Sequence, residues 1–277
     1  MENAPVIYRN IVCKSLLNKS GISDYAANCY SGCAHGCVYC YARFATRFTH
    51  PHEPWGKFVD IKENAVRVLE KELKRRKPGN VMLSSVCDAW QPVEEKTLLT
   101  RRSLELLAHH RFNVHTLTKN ALAARDLDLL KLGAAEFGVT ITTLDPKLAA
   151  LIEPGASPPQ ARLELLQQAK DKGLKTYAFI GPLMPFLSDT EYNIWGILRR
   201  IKETGVDSFL VDKLNLRYGV WPDLLKLLKE HYPALLPEYR KIFWEEQGKA
   251  AYQERLFNTL NVIAGKLGLA GKMDCVI

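Results

Sequence analysis

The strongest constraint on how this chain folds is an alternation. Six short segments rich in β-branched and aromatic residues recur along it, each followed by a pattern of helical period. The strand candidates are residues 26–31, 81–86, 113–118, 137–144, 176–183 and 208–214. The helical stretches cover residues 61–76, 94–109, 124–132, 159–172, 190–204 and 222–231. Runs such as VMLSSV, FGVTIT and YAFIGPL are almost continuously apolar, as in strands buried on both faces of a parallel sheet. Strand–helix units in series imply a parallel sheet with right-handed crossovers. Six units are too few for a closed eight-unit barrel, so an open or partial barrel fits better. A doubly wound sheet is the alternative, but no G-x-G-x-x-G follows the first strand to mark a dinucleotide fold. From Pro233 onward the tail reads as two further helices reaching to about residue 269, with Gly248 between them. There are no internal repeats or low-complexity tracts, and residues 154–159 look like a helix-start loop. A single domain over residues 1–277, with its barrel core at about 24–231, is therefore expected.

The chain's 277 residues are 47% hydrophobic and 25% charged, which excludes a disordered, collagen-like or disulfide-dense protein. Lys and Arg exceed Asp and Glu by 38 to 30, a net charge of +8. That surplus fits an acidic or nucleic-acid partner, or else the solvated helix faces typified by residues 71–77, KELKRRK. No apolar run approaches the roughly 18 residues of a membrane span, and Met1 to Asn10 has no apolar signal core. The expected location is the cytoplasm, with no membrane partner; nothing in the sequence sets an oligomeric state.

Seven cysteines are present, and four of them fall between Cys29 and Cys40. An odd number of thiols clustered in a reducing compartment points to metal rather than disulfides. Cys33-x3-Cys37-x2-Cys40 offers three thiolates on one loop directly after the first strand. Three thiolates hold three irons of a 4Fe–4S cluster and leave the fourth open for a substrate or cofactor. The alternative is a zinc site completed by Cys29 or His35, although no second C-x2-C pair exists.

This arrangement resembles the radical S-adenosylmethionine (SAM) enzymes: C-x3-C-x2-C followed by an aromatic residue, ahead of repeated strand–helix units. With Asn28, Tyr30, Gly32, His35-Gly36, Tyr39 and Tyr41-Ala42 around the cysteines, it is similar to the spore photoproduct lyase-like branch, often labelled DNA repair photolyase-like. The likeness covers roughly residues 24–230. It implies an α/β fold, a partial (β/α)6 TIM-type barrel with a C-terminal helical extension, and a cluster on the open face. It further implies that Cys33, Cys37 and Cys40 hold the 4Fe–4S cluster, and that S-adenosylmethionine chelates the free iron. Reductive cleavage to a 5′-deoxyadenosyl radical would then abstract hydrogen from a substrate. The implied partners are a low-potential electron donor of the flavodoxin or ferredoxin type and a nucleic-acid substrate.

The neighbouring positions take functional readings from this resemblance or from their place on the strands, each beside a plainer reading. Ser84, Ser85 and Asp88 end the second strand, where they either meet the cofactor's ammonium group and ribose or cap the strand. Cys87 is either a hydrogen donor to a substrate radical or an inert thiol; ungapped matching puts Ser85, not Cys87, where the lyase carries its donor. Thr118-Lys119 ends the third strand, where the lysine pairs with the cofactor carboxylate or sits solvated in the loop. Thr140 and Thr142 alternate along the fourth strand toward one face, lining the cofactor or filling the strand. Tyr39 and Tyr41 flank the last cysteine and either pack beside the adenine or relay a hydrogen atom. His35 hydrogen-bonds a cluster sulfur or caps the loop, and Cys29 stands where relatives usually have Pro. Cys13 and Cys275 read as structural. At the last barrel strand, Asp212, Lys213, Asn215, Arg217 and Tyr218 are expected to face substrate from the open end, and for a nucleic-acid substrate Arg43, Arg47, Lys213 and Arg217 suit phosphate contacts. A peptide, nucleotide or small-metabolite substrate stays open as an alternative, and so does a non-catalytic metal- or nucleic-acid-binding role.

Overall fold

A computed structural model describes residues 5–133 and 135–275. The six expected barrel strands are present and pair in chain order. They are β3 (Tyr25–Ala27), β6 (Asn80–Leu83), β7 (Asn113–Thr118), β8 (Glu136–Ile141), β9 (Lys175–Leu183) and β10 (Ser208–Lys213). All neighbours from β3 to β10 are parallel, so their C-terminal ends share one face. Two short strands extend the row to eight: β2 (Leu17–Lys19) runs antiparallel to β3, and β11 (Met273–Cys275) runs parallel to β10. The architecture is thus a partial TIM-type barrel. Buried positions run through β8 and β9 on both faces, as their unbroken apolar sequences require.

Helices cover the outside of this sheet. They are α1 (Ala65–Leu73), α2 (Glu94–Thr97), α3 (Leu99–His109), α4 (Leu127–Leu132), α5 (Pro146–Ile152), α6 (Pro159–Asp171), α7 (Glu191–Thr204) and α8 (Val220–His231). Beyond them lie α9 (Leu236–Trp244) and α10 (Glu246–Lys266). No described helix is long and apolar enough to cross a membrane.

Several expected boundaries move, each for a local reason. The first strand, expected over residues 26–31, divides: β3 joins the barrel, while β4 (Tyr30–Ser31) pairs with β5 (Phe58–Lys62) in a separate sheet with β1 (Ile7–Ile11). The chain changes partners at Asn28, whose side-chain oxygen accepts from Val86 N–H at 3.0 Å, and Cys29, whose carbonyl accepts from Lys62 N–H at 3.1 Å. Ile61, expected to begin a helix, lies in β5, and α1 starts only at Ala65. Leu98 takes a left-handed conformation (φ +54°) and breaks the helix expected over residues 94–109 into α2 and α3. Gly248 does not separate the tail helices. The break is the extended Glu245, and Gly248 is buried inside α10, where a Cβ would stand 2.4 Å from the Lys241 carbonyl of α9. Glycine there lets the two helices approach.

Two packed cores result. The larger fills the barrel and the space beneath its helices. The smaller joins Cys37 and Tyr39 to Leu148 and Ile152 of α5, Leu214 after β10, the apolar face of α8 and Tyr239 of α9. It seats the cysteine loop against the C-terminal helices.

Candidate active site

The cysteine loop leaves β4 on the face where the parallel strands end. Gly36 N–H donates to the Cys33 carbonyl at 3.3 Å and Cys40 N–H to the Cys37 carbonyl at 3.2 Å, so the three cysteines follow one another on successive turns. Gly32 (φ +83°) and Gly36 (φ +59°) take left-handed conformations that favour glycine. A Cβ on Gly32 would stand 2.6 Å from the Phe58 carbonyl, so the turn also needs the close approach.

Side chains from across the barrel hold this loop's backbone. Gln91, fully buried, accepts from Ala34 N–H at 2.9 Å and donates to the Gly32 carbonyl at 3.4 Å. Val38 N–H donates to the Ile152 carbonyl at 3.0 Å, and Gly155 N–H to that of His35 at 2.9 Å. Arg43 donates to the carbonyls of Cys37 and Val38 at 3.1 and 3.0 Å and to that of Gly219 at 3.1 Å, and it pairs with Asp223 of α8. The guanidinium suggested as a phosphate contact is therefore buried and committed to the loop.

Burial pushes all three cysteine thiols up, Cys37 to about 12. For Cys33, the neighbouring Asp88, Cys37, Cys40 and Cys87 add to that rise. A metal centre would displace these protons on binding. Among the described residues no three His, Cys, Asp or Glu side chains converge where one ion would sit. Thiolates on separate irons of a cluster have no need to converge on one point.

The strand ends supply the remaining groups. Asp88 accepts from Thr118 Oγ1, Lys119 N–H and Trp90 N–H at 2.8, 2.8 and 2.9 Å, and stands 3.5 Å from His35 Nδ1. Its carboxylate and the Thr118 hydroxyl thus tie β6 to β7 in the strand-capping role. His35 is wedged between Asp88 and Asn120, and burial lowers its pKa. The Thr142 hydroxyl is likewise occupied, within reach of the Gly181 carbonyl at 2.9 Å and Glu153 at 3.0 Å. Ser85 accepts from Asn28 through its hydroxyl and from Tyr41 through its carbonyl, the latter at 2.6 Å. Ser84 sits at φ +63° with its buried hydroxyl unpartnered, and the Thr140 hydroxyl on β8 is buried and unpartnered too. Cys87, half-buried beside Asn28, is pushed up to about 11 by burial.

Tyr39 and Tyr41 separate in environment. Tyr41 is half-exposed, while the buried Tyr39 phenol donates to Glu153. Glu153 pairs with Arg162, which also donates to the carbonyls of Ser157 at 2.7 Å and Thr140 at 3.1 Å. Lys119 lies 5.6 Å from the centre of the Tyr39 ring and has no ion-pair partner among the described residues. Burial pulls its ammonium down, but Cys37, Glu153 and Cys40 outweigh that and hold it above its ordinary value. Glu153 and Arg162 are the supports that reading the sequence missed. One signal existed: Arg162 shares the buried face of α6 with Leu165, Leu166 and Ala169, a place where an arginine needs a partner. Cys29 is no spare ligand; it packs beside Ser103 of α3 at 3.4 Å. The Cys275 side chain lies outside the described residues.

The Radical SAM superfamily model matches residues 27–201, from β3 into α7. The chain belongs to that superfamily. An uncharacterized protein of Methanocaldococcus jannaschii is 36% identical over 278 residues, covering 99% of both chains. One of Mycobacterium tuberculosis is 29% identical and covers 96% of this chain and 82% of its own. Among solved structures, a spore photoproduct lyase variant with bound AdoMet and dinucleoside spore photoproduct superposes with a TM-score of 0.69. It covers 97% of this chain and 81% of that chain at 15% identity, a likeness of fold.

The residues of this radical SAM chain fit the groups its superfamily implies. Cys33, Cys37 and Cys40 offer soft thiolates, the ligands that an iron–sulfur cluster takes. The unpartnered hydroxyls of Ser84 and Thr140 and the unpaired Lys119 ammonium lie at strand ends on the same face. Two acceptor-capable hydroxyls and a cation suit the ammonium and carboxylate of a methionyl group.

Proposed function

We propose that this chain is a radical SAM enzyme that binds a 4Fe–4S cluster through Cys33, Cys37 and Cys40. The observation that carries this is their placement: three thiols, those of Cys33 and Cys37 buried and that of Cys40 half-buried, on a hydrogen-bonded loop at the C-terminal face of a partial barrel, beside unpartnered polar groups. When bound, the cluster and S-adenosylmethionine supply a 5′-deoxyadenosyl radical able to take hydrogen from an unactivated carbon. The protein's own work is to hold and orient. Gln91, Arg43, Gly155 and Ile152 fix the cysteine loop, while Ser84 and Thr140 would accept from the cofactor's ammonium and Lys119 would neutralise its carboxylate. Cys87 and Tyr41 flank this space and are the candidate hydrogen donors to the product radical.

For the substrate we favour a nucleic acid, in the lyase-like manner. Exposed aromatic rings follow the cysteine loop (Tyr41, Phe44 and Phe48), with Arg47 4.4 Å from the Phe48 ring and the exposed Tyr218 following Arg217. Rings among cations are what single-stranded bases and phosphates require. The test is isotopic. Anaerobic incubation of the reconstituted protein with dithionite, S-adenosylmethionine and a deuterated oligonucleotide carrying a photolesion should move deuterium into 5′-deoxyadenosine. Abundant 5′-deoxyadenosine without label would refute this substrate and leave the cofactor chemistry standing.

A further inference from the structure

The C-terminal helices build a second feature on the open face. A cavity of about 490 Å³ lies where Lys213, Leu214, Asn215 and Leu216 leave β10 and meet α8, α9 and the start of α10. Its wall is aromatic. Trp221 and Trp244 meet edge to face with centroids 4.6 Å apart, and Phe243 joins Trp244 at 6.2 Å. The 69° angle between the indoles means they do not stack on each other, and Trp244 is 57% exposed, so its ring remains available to a ligand. Lys213 and Lys249 also line the cavity, and neither has an ion-pair partner among the described residues. Asn215, exposed on the same lining, adds a donor and an acceptor.

The cavity is mechanically joined to the cysteine loop. Leu216, Trp221 and Phe243 pack against the smaller core that contains Cys37 and Tyr39. Asp223, two residues past Trp221, pairs with Arg43, which holds the Cys37 and Val38 carbonyls. A ligand seated on the tryptophans would thus rest on the same framework as the thiols.

We propose that this cavity is a nucleotide-binding subsite, in which one base stacks on Trp244 and its phosphate pairs with Lys213 and Lys249. An indole face takes any base, and base–aromatic stacking contributes about 1–3 kcal/mol per base. Two unpaired ammonium groups beside it select for an attached anion. The subsite rests on the nucleic-acid reading above and deepens it: substrate capture falls to the C-terminal helices, and no turnover is needed to test it.

The test is equilibrium dialysis of the anaerobically reconstituted full chain, without reductant, against a labelled mononucleotide, a short single-stranded oligonucleotide and an abasic sugar-phosphate. The two base-bearing ligands distinguish a free nucleotide from a unit of a strand, and saturable binding of either supports the proposal. Trp244→Ala should weaken that binding by about 5–150-fold, the range that corresponds to loss of one stacked base. Lys249→Gln, on an exposed helical surface, should weaken it and flatten its salt dependence. Should Trp244→Ala fail to fold, the lysine variant decides alone. No binding of either base-bearing ligand, equal binding of the abasic sugar-phosphate, or binding unchanged in the folded variants would overturn the subsite. Because no radical is generated, such a failure is separate from a failure of the cofactor chemistry.

Discussion

Alanine at any one of Cys33, Cys37 or Cys40 is expected to abolish reductive cleavage of S-adenosylmethionine while leaving the chain folded. Residues that merely support a metal's ligands commonly cost about 10–100-fold in affinity or activity when removed, so losing a ligand should exceed that. Anaerobic reconstitution of the parent should give about four iron and four sulfide per chain, with each variant clearly lower. The fold should survive because the loop is also tied by Gln91, Arg43 and the Ile152 carbonyl, none of which depends on the thiols. Cys29→Ala serves as the contrast. That thiol is buried against Ser103 and pushed up to about 12, so its removal should leave iron content unchanged. A variant lacking Cys37 that still holds a full complement of iron would show that the loop does not carry the cluster.

The second large effect concerns stability. Glu153 and Arg162 form an ion pair in which both side chains are 1% exposed, and Glu153 also receives the Tyr39 phenol and the Thr142 hydroxyl. Removing one partner strands the other's charge in a low-dielectric interior, at a cost of about 3–5 kcal/mol. Arg162→Met should therefore lower the melting temperature by about 6–20 °C, given about 2–4 °C per kcal/mol in a chain of this size. Denaturant unfolding of the cluster-free protein measures this directly; a change below about 1 kcal/mol would mean that the pair is solvated in solution. The acid side follows. Burial raises the Glu153 pKa, but Arg162 and Lys119 outweigh it and leave the carboxyl below its ordinary value of 4.5. Its stabilising share is complete above that ordinary value and is lost as pH falls through the lowered one.

Much of the fold is legible in the residues alone. The order of the six barrel strands follows from apolar runs separated by helical periods, and β7 lies at the expected residues 113–118. The cysteine spacing marks the loop because cluster ligation needs thiolates within a few residues of one another. What escapes such reading is set by contacts between distant segments. β5 finds its partners far off in the chain, in β1 some fifty residues earlier and in the two-residue β4, and no local pattern announces that sheet. Leu98 and Ser84 adopt left-handed conformations that neither leucine nor serine advertises. The Glu153–Arg162 pair lies outside any motif, and only the packing of α6 under the loop makes it matter. Conversely Asp88, Thr118 and Thr142, suggested as cofactor contacts, spend their hydrogen bonds joining strands, while Ser84, Thr140 and Lys119 keep polar groups free.

Radical generation at the cysteine loop is the central chemical claim, and one measurement addresses it. Reconstituted protein, incubated anaerobically with dithionite and S-adenosylmethionine, should release 5′-deoxyadenosine in amounts that depend on reductant and disappear in the Cys37→Ala variant. A protein that binds its iron and sulfide in full, yet yields no 5′-deoxyadenosine under reduction, would contradict it.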